Sequence, residues 1–216
     1  MTELDLNAVV PLRIGVVGTG NIARALGGAW AAAGHGVTFA GRTPGRAESL
    51  AAEVGHGARA GFSVDVARDA DVVLLAVPSQ AVGAVLDEIG PVLGGGSRAI
   101  VIDPTNPVEH GVGRHLLDVG SVTERIAARA WGAQVVKAFN VHPASHWAGA
   151  DAGDVVVIAG DNAEALAVVE RLVRDVGATP HVLGGLDRAR QVEELAGAVI
   201  ALAFGGADPR SAVPGF

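Results

Sequence analysis

Gly18-Thr19-Gly20-Asn21-Ile22-Ala23 stands directly behind a β-branched run and opens an alanine-rich helical stretch. That order gives the G-x-G-x-x-A spacing its chemical meaning. Gly18 permits a tight turn. Gly20 lets the backbone approach a pyrophosphate whose charge would meet the free amides at the helix start, while Ala23 replaces a third glycine at the helix–strand contact. Gly27, one turn on, keeps the same face thin. A site for NAD places an acid about 20 residues further along, to hold the ribose hydroxyls. This chain has Gly41-Arg42-Thr43-Pro44-Gly45-Arg46 there instead. Two guanidiniums and a hydroxyl beside a helix start would bind a 2′-phosphate through charge-assisted hydrogen bonds, which an acid would oppose. The expected cofactor is therefore NADP rather than NAD, held by Gly18, Thr19, Gly20, Asn21, Ile22, Arg42, Thr43 and Arg46. Val77, Pro78 and Gln80, at the end of the fourth apolar run, are expected to line the path from adenosine toward nicotinamide.

A second unusual stretch is Val136-Lys137-Ala138-Phe139-Asn140-Val141-His142-Pro143-Ala144. It carries the single lysine of a chain with 15 arginines and five asparagines. Such a bias points to GC-rich coding, under which residues with AT-rich codons persist mainly where chemistry or packing resists replacement. Asn21, Asn106, Lys137 and Asn140 stand out on that ground. Lys137 and Asn140 close a buried strand, on the edge of the sheet where ligands bind. His142 and His146 are four apart, but no cysteine and no H-E-x-x-H pattern accompanies them, so no metal is expected.

Positioning these residues requires a sheet. The chain has 216 residues, 50% hydrophobic and 18% charged, with a formal net charge of -7. It is long enough for one large domain or a domain with a small addition. The negative balance argues against a nucleic-acid partner. Having no cysteine removes disulfides, thiolate metal sites and thiol nucleophiles, and having no tyrosine removes a Tyr-Lys proton relay. No apolar run is long enough to span a membrane and the N-terminus lacks a basic leader, so a cytoplasmic protein is expected. Short β-branched runs alternate with alanine-rich stretches, which predicts a doubly wound, mostly parallel α/β sheet with crossover helices. Strands are expected at 13–17, 36–40, weakly at 58–62, then 71–77, 98–102, 134–139, 154–159 and 179–183. Helices are expected at 21–33, 44–54, 79–92, 121–130, 162–176 and 187–204. A short acidic turn is read before Asp71, and Ser121-Val122-Thr123-Glu124 has capping-box spacing. The last helix carries an apolar stripe of Val192, Leu195, Ala196, Val199 and Ala203, to be covered by the domain or by a second subunit. The division reads as an N-terminal tail to residue 11, a dinucleotide-binding domain over 12–185 and a C-terminal helical segment over 186–216.

Taken together, the Gly18–Ile22 motif, Gly41-Arg42-Thr43, Asp103-Pro104-Thr105-Asn106-Pro107, Val136–Asn140, Gly160-Asp161-Asn162 and the segment from Gly184-Gly185-Leu186 to Glu194-Leu195 resemble the NADPH-dependent oxidoreductases of the deazaflavin coenzyme F420. The resemblance spans Arg13 to about Phe204. It implies a Rossmann-type domain with a small C-terminal addition, a homodimer, and a hydride passed between NADP(H) and coenzyme F420 as small-molecule co-substrate. It also implies that the loop from Asn140 through Ala144 faces the nicotinamide carboxamide and the incoming ring; Asn140 is expected among the catalytic residues, and Asn106 and Ala144 among those that bind the cofactor. Lys137 is expected to meet an anionic or carbonyl group, and His142 to stabilise charge near the deazaflavin oxygen. The chain departs from that pattern in placing His142 before the proline and in Trp131 and Trp147 flanking the loop, which bears on the second substrate more than on the cofactor. Two other readings stand beside this one: an NADPH-dependent reductase of a small imine, ketone or hydroxy acid, and a non-catalytic NADPH-responsive binding module.

Overall fold

A computed structural model describes residues 10–93, 99–130, 132–148 and 154–212. The N-terminal tail through residue 9, Arg98, Trp131 and residues 213–216 of the expected C-terminal segment lie outside the described residues. The strands are β1 (Arg13–Val17), β2 (Gly36–Ala40), β3 (Arg59–Ala60), β4 (Val72–Leu75), β5 (Ile100–Asp103), β6 (Gln134–Lys137), β7 (Val155–Gly160) and β8 (Thr179–Gly184). The helices are α1 (Asn21–Ala32), α2 (Pro44–Val54), α3 (Ser63–Asp69), α4 (Val82–Leu93), α5 (Val122–Arg129), α6 (Ala163–Asp175) and α7 (Ala189–Phe204).

All eight strands form one sheet in the order β3-β2-β1-β4-β5-β6-β7-β8. Every pair is parallel except β6 and β7. This is the doubly wound α/β arrangement that the alternating pattern predicts. The chain moves outward from β1 to β3, then returns to β4 on the other side of β1. The order thus reverses between β1 and β4, and the crevice beyond their C-terminal ends is where ligands of such sheets bind. Buried apolar side chains lie on both faces. One cluster holds α1 against β1 and β2 through Leu26, Trp30 and Phe39; the other holds α4 and α5 against β4 and β5 through Leu86, Ile89 and Ile126. Trp30 is fully buried, and its indole N–H donates to the Leu172 carbonyl at 3.0 Å, tying α1 to α6.

Three expectations are corrected. The acidic turn before Asp71 is a helix, α3, because Val66 and Ala67 bury a short apolar face beneath the sheet while Asp65 and Arg68 pair on its outer side. The strand read through Val77 ends at Leu75, since Ala76 turns to donate to the Leu74 carbonyl. The strand read through Phe139 ends at Lys137; Phe139 takes φ +63, a left-handed conformation that no strand accommodates. Of the apolar stripe on α7, the domain itself covers Val192 and Ala196 and leaves Leu195 42% exposed.

The reversal at β7 decides where α7 lies. β7 pairs with β6 only at Val136↔Gly160 and Lys137↔Ala159, so most of its length runs past the C-terminal edge of β6. β8 follows it in parallel, and the chain then turns through Leu186–Arg188 into α7. The last helix is thereby brought back over the ends of β5 and β6.

Candidate functional site

The turn after β1 is built to lie against β4 and remain open above. Gly18 has φ +130, and a Cβ there would meet the Ala76 carbonyl oxygen at 2.0 Å. No residue with a side chain fits. Among the described residues a Cβ on Gly20 would meet nothing within 4 Å, so none of them fills the space over the start of α1. Gly20 caps that helix without a side-chain hydrogen bond, and the first turn of α1 contains no acid. Its early amides therefore keep their capacity for an anion. Ala23 is fully buried where the helix meets the sheet.

The end of β2 closes in on this turn. The Gly18 amide donates to the Ala40 carbonyl at 2.8 Å, and a Cβ on Gly41 would lie 3.1 Å from the Thr19 methyl. Arg42, Thr43 and Arg46 follow directly and are exposed. Thr43 caps α2 with no side-chain hydrogen bond. Among the described residues neither Arg42 nor Arg46 has an ion-pair partner.

Val77, Pro78 and Gln80 meet Thr105, Asn106, Val108, His110 and Ile200 around a cleft of about 340 Å³. A separate groove of about 460 Å³ joins Asn21 and Ala144 with Arg24, Gly28 and Trp147. The predicted cofactor residues thus collect around the crevice in three groups: the β1 turn, the end of β2, and the ends of β4 to β6.

Asn106 and Asn140 are coupled across the ends of β5 and β6. Asn106 Nδ2 donates to the Asn140 carbonyl at 2.6 Å, while Asn140 Nδ2 donates to Asn106 Oδ1 at 2.8 Å and to the Val192 carbonyl at 3.1 Å. Both hydrogens of the Asn140 amide are committed, which fixes its orientation. Its Oδ1 is buried and has no partner among the described residues. The left-handed Phe139 supplies the bend that turns Asn140 across the strand end, and its ring is held edge-on between Trp30 and Trp147 at 5.7 and 5.4 Å.

Lys137 is not at the reacting end. Its side chain is fully buried beneath it, with Nζ 3.1 Å from both Asp103 Oδ2 and Glu193 Oε1, and it also donates to the Thr105 carbonyl. Thr123 donates to Asp103 Oδ2 at 2.8 Å, the Val122 amide donates to Glu193 Oε1 at 3.0 Å, and His115 Nε2 lies 2.9 Å from Glu193 Oε2. A lysine with three protein acceptors and no exposure cannot meet a substrate; it fixes the strand ends against α7. Asp103, His115, Thr123 and Glu193 were not legible as site residues. Only the asparagines and the lone lysine carried a compositional signal.

His142 does not line the cleft. Its ring stacks on His146 at 4.5 Å and 13°, both edges rest on Trp147, and Nε2 lies 3.2 Å from the Val155 carbonyl. His146 in turn pairs with Asp154 at 2.7 Å. These contacts brace the loop against β7. Among the described residues, no group of three or more His, Asp or Glu side chains could hold a metal ion.

Residues 13–107 match the family described as NADP oxidoreductase coenzyme F420-dependent. Over 92% of its length the chain superposes on 96% of a proposed F420-dependent NADP-reductase from Arthrobacter sp. FB24, with a TM-score of 0.78 and 28% identity. It is also 29% identical over 187 residues to the metalloreductase STEAP3 of Rattus norvegicus, covering 85% of this chain. The chain spans 36% of that relative's length. A reductive aminase from Aspergillus terreus, solved with NADPH and ethyl-5-oxohexanoate, shares the fold at a TM-score of 0.69 and 20% identity, this chain covering 64% of it. Among the described residues, no helix is long and apolar enough to cross a membrane.

Proposed function

We propose that the protein transfers a hydride between NADP(H) and the deazaflavin coenzyme F420. The observation that carries the cofactor assignment is the pair of unpartnered guanidiniums, Arg42 and Arg46, with the free Thr43 hydroxyl, beside a glycine turn that is open above Gly20. A 2′-phosphate is the group this set suits, since each member donates and none repels. The amides at the start of α1 would hold the pyrophosphate, and Val77, Pro78, Gln80 and Asn106 would border the nicotinamide end.

When bound, NADP(H) supplies a carbon that gives or takes a hydride. The chain's own part is to orient and to exclude water, for direct transfer between two ring carbons needs little acid–base help. The cleft suits that division of labour, because His110 is the one titratable side chain among the residues bordering it. Asn140, its amide fixed by Asn106 and Val192, presents an acceptor of fixed direction, and His142 and Trp147 keep its loop in place. In this reading the co-substrate is a small molecule and the assembly a homodimer, with a second copy over the outward face of α7.

NADPH oxidation measured against coenzyme F420, flavins, simple ketones and imines tests the assignment. The expected result is rapid turnover of the deazaflavin only. Rapid turnover of a ketone or imine would transfer the protein to the reductive class that shares its fold, and tight NADPH binding with no acceptor at all would make it a binding module.

A further inference from the structure

Thr105 stands in the wall of the cleft, between Pro104 and Asn106. It is 5% exposed, and its hydroxyl has no hydrogen-bond partner among the described residues. A buried hydroxyl is normally paired, because leaving it unpaired forfeits the hydrogen bonds it made in water. The Thr105 backbone is pinned on both sides. Its amide donates to Asp103 Oδ1 at 2.8 Å and its carbonyl accepts from Lys137 Nζ, both inside the dry charge cluster. The only buried lysine thus spends one of its three donors holding this peptide.

We infer that the Thr105 hydroxyl binds the carboxamide of the nicotinamide ring, and that the Asp103–Lys137–Glu193 cluster exists in part to hold it there. This rests on the cofactor reading above. A primary carboxamide needs a donor for its oxygen and an acceptor for its nitrogen. Thr105 Oγ1 can donate; Asn140 Oδ1, the other buried oxygen without a partner at these strand ends, can only accept. Asn106 follows Thr105 in the chain and is bonded to Asn140, so the turn that carries the donor also orients the acceptor.

The test compares Thr105→Val, which keeps the shape and removes the hydroxyl, with Thr105→Ser, which keeps the hydroxyl. Calorimetry gives the melting temperature of each ligand-free protein and its affinity for NADPH and for the adenosine bisphosphate half of the cofactor. Thr105→Val should melt at or above the wild-type temperature, bind the adenosine half as wild type does, and bind NADPH about three- to tenfold more weakly. Thr105→Ser should restore NADPH affinity. Unchanged NADPH affinity in Thr105→Val, an equal loss for both ligands, or a lowered ligand-free melting temperature would each overturn the inference. If wild-type protein binds neither ligand, it is the cofactor reading that has failed.

Discussion

Removing one charge from the cluster beneath the cleft should cost more than any other single side-chain change described here. Lys137 faces two carboxylates, all three without exposure, so Lys137→Met would leave like charges facing each other in a dry interior. A loss of roughly 3–5 kcal/mol is expected from chemical denaturation; a loss under about 1 kcal/mol would mean that the cluster is wetter than its burial indicates. At the surface the balance differs. Arg42→Ala should leave the fold intact and weaken NADPH binding about tenfold or more while barely moving NADH, because its guanidinium has no structural partner to lose. Equal affinities for the two dinucleotides in the wild type would remove the basis for that expectation. The residue types at this site were partly legible. The glycine pattern, the arginines in place of an acid, and the scarcity of asparagine pointed to residues that the fold gathers near the C-terminal ends of the strands. The role of Lys137 was not legible, because its partner Glu193 lies 56 residues away on a helix whose return over the strand ends follows from strand direction.

Among elements, α1 and β2 show how tightly the crevice is built. A Cβ at Gly27 would lie 2.6 Å from the Phe39 ring, which is fully buried in the cluster that carries β1. Gly27→Ala should therefore destabilise by about 1–3 kcal/mol despite the better helix propensity of alanine, read as a lower melting temperature. The start of β1 has its own fastening. Asp71 accepts from the Arg13 amide at 2.8 Å and from its guanidinium at 2.5 Å, and those bonds hold the Asp71 carboxyl below its ordinary value. A carboxylate lowered on folding stabilises above its unfolded value, near pH 4, and that contribution fades as pH falls through the lower folded one. Asp71→Asn should thus reduce the melting temperature at neutral pH, modestly because the pair is solvent-screened, and should shallow the fall in melting temperature below about pH 4. An unaltered acid limb would exclude this pair as its source. Most strands and helices were visible as periodicity. The helix α3 was not, since seven residues with two buried positions give too short a period to distinguish from a turn.

For the whole molecule, the strand order places every expected cofactor group at one edge, and α7 closes that edge through the reversal of β7. The alternation of apolar runs announced a parallel sheet, yet no local signal marks which strand runs the other way, for hydrophobic burial is the same in either direction. The exposed Leu195 belongs to the face proposed to carry a second copy. Leu195→Glu should halve the mass in light scattering if that contact forms; an unchanged mass would place the contact elsewhere or remove it.

The aromatic chain around Phe139 also makes the protein readable by light. The sequence has three tryptophans and no tyrosine, so its near-ultraviolet emission comes from indole alone. Trp30 and Trp147 both touch Phe139, the residue that bends the backbone into Asn140, and Trp147 borders the groove shared by Asn21 and Ala144. A dihydronicotinamide ring absorbs where indole emits, so its arrival at this edge would dim the emission by energy transfer. The molecule contains its own unlabelled gauge of occupancy, one that responds to docking even when no acceptor is present and nothing is turned over.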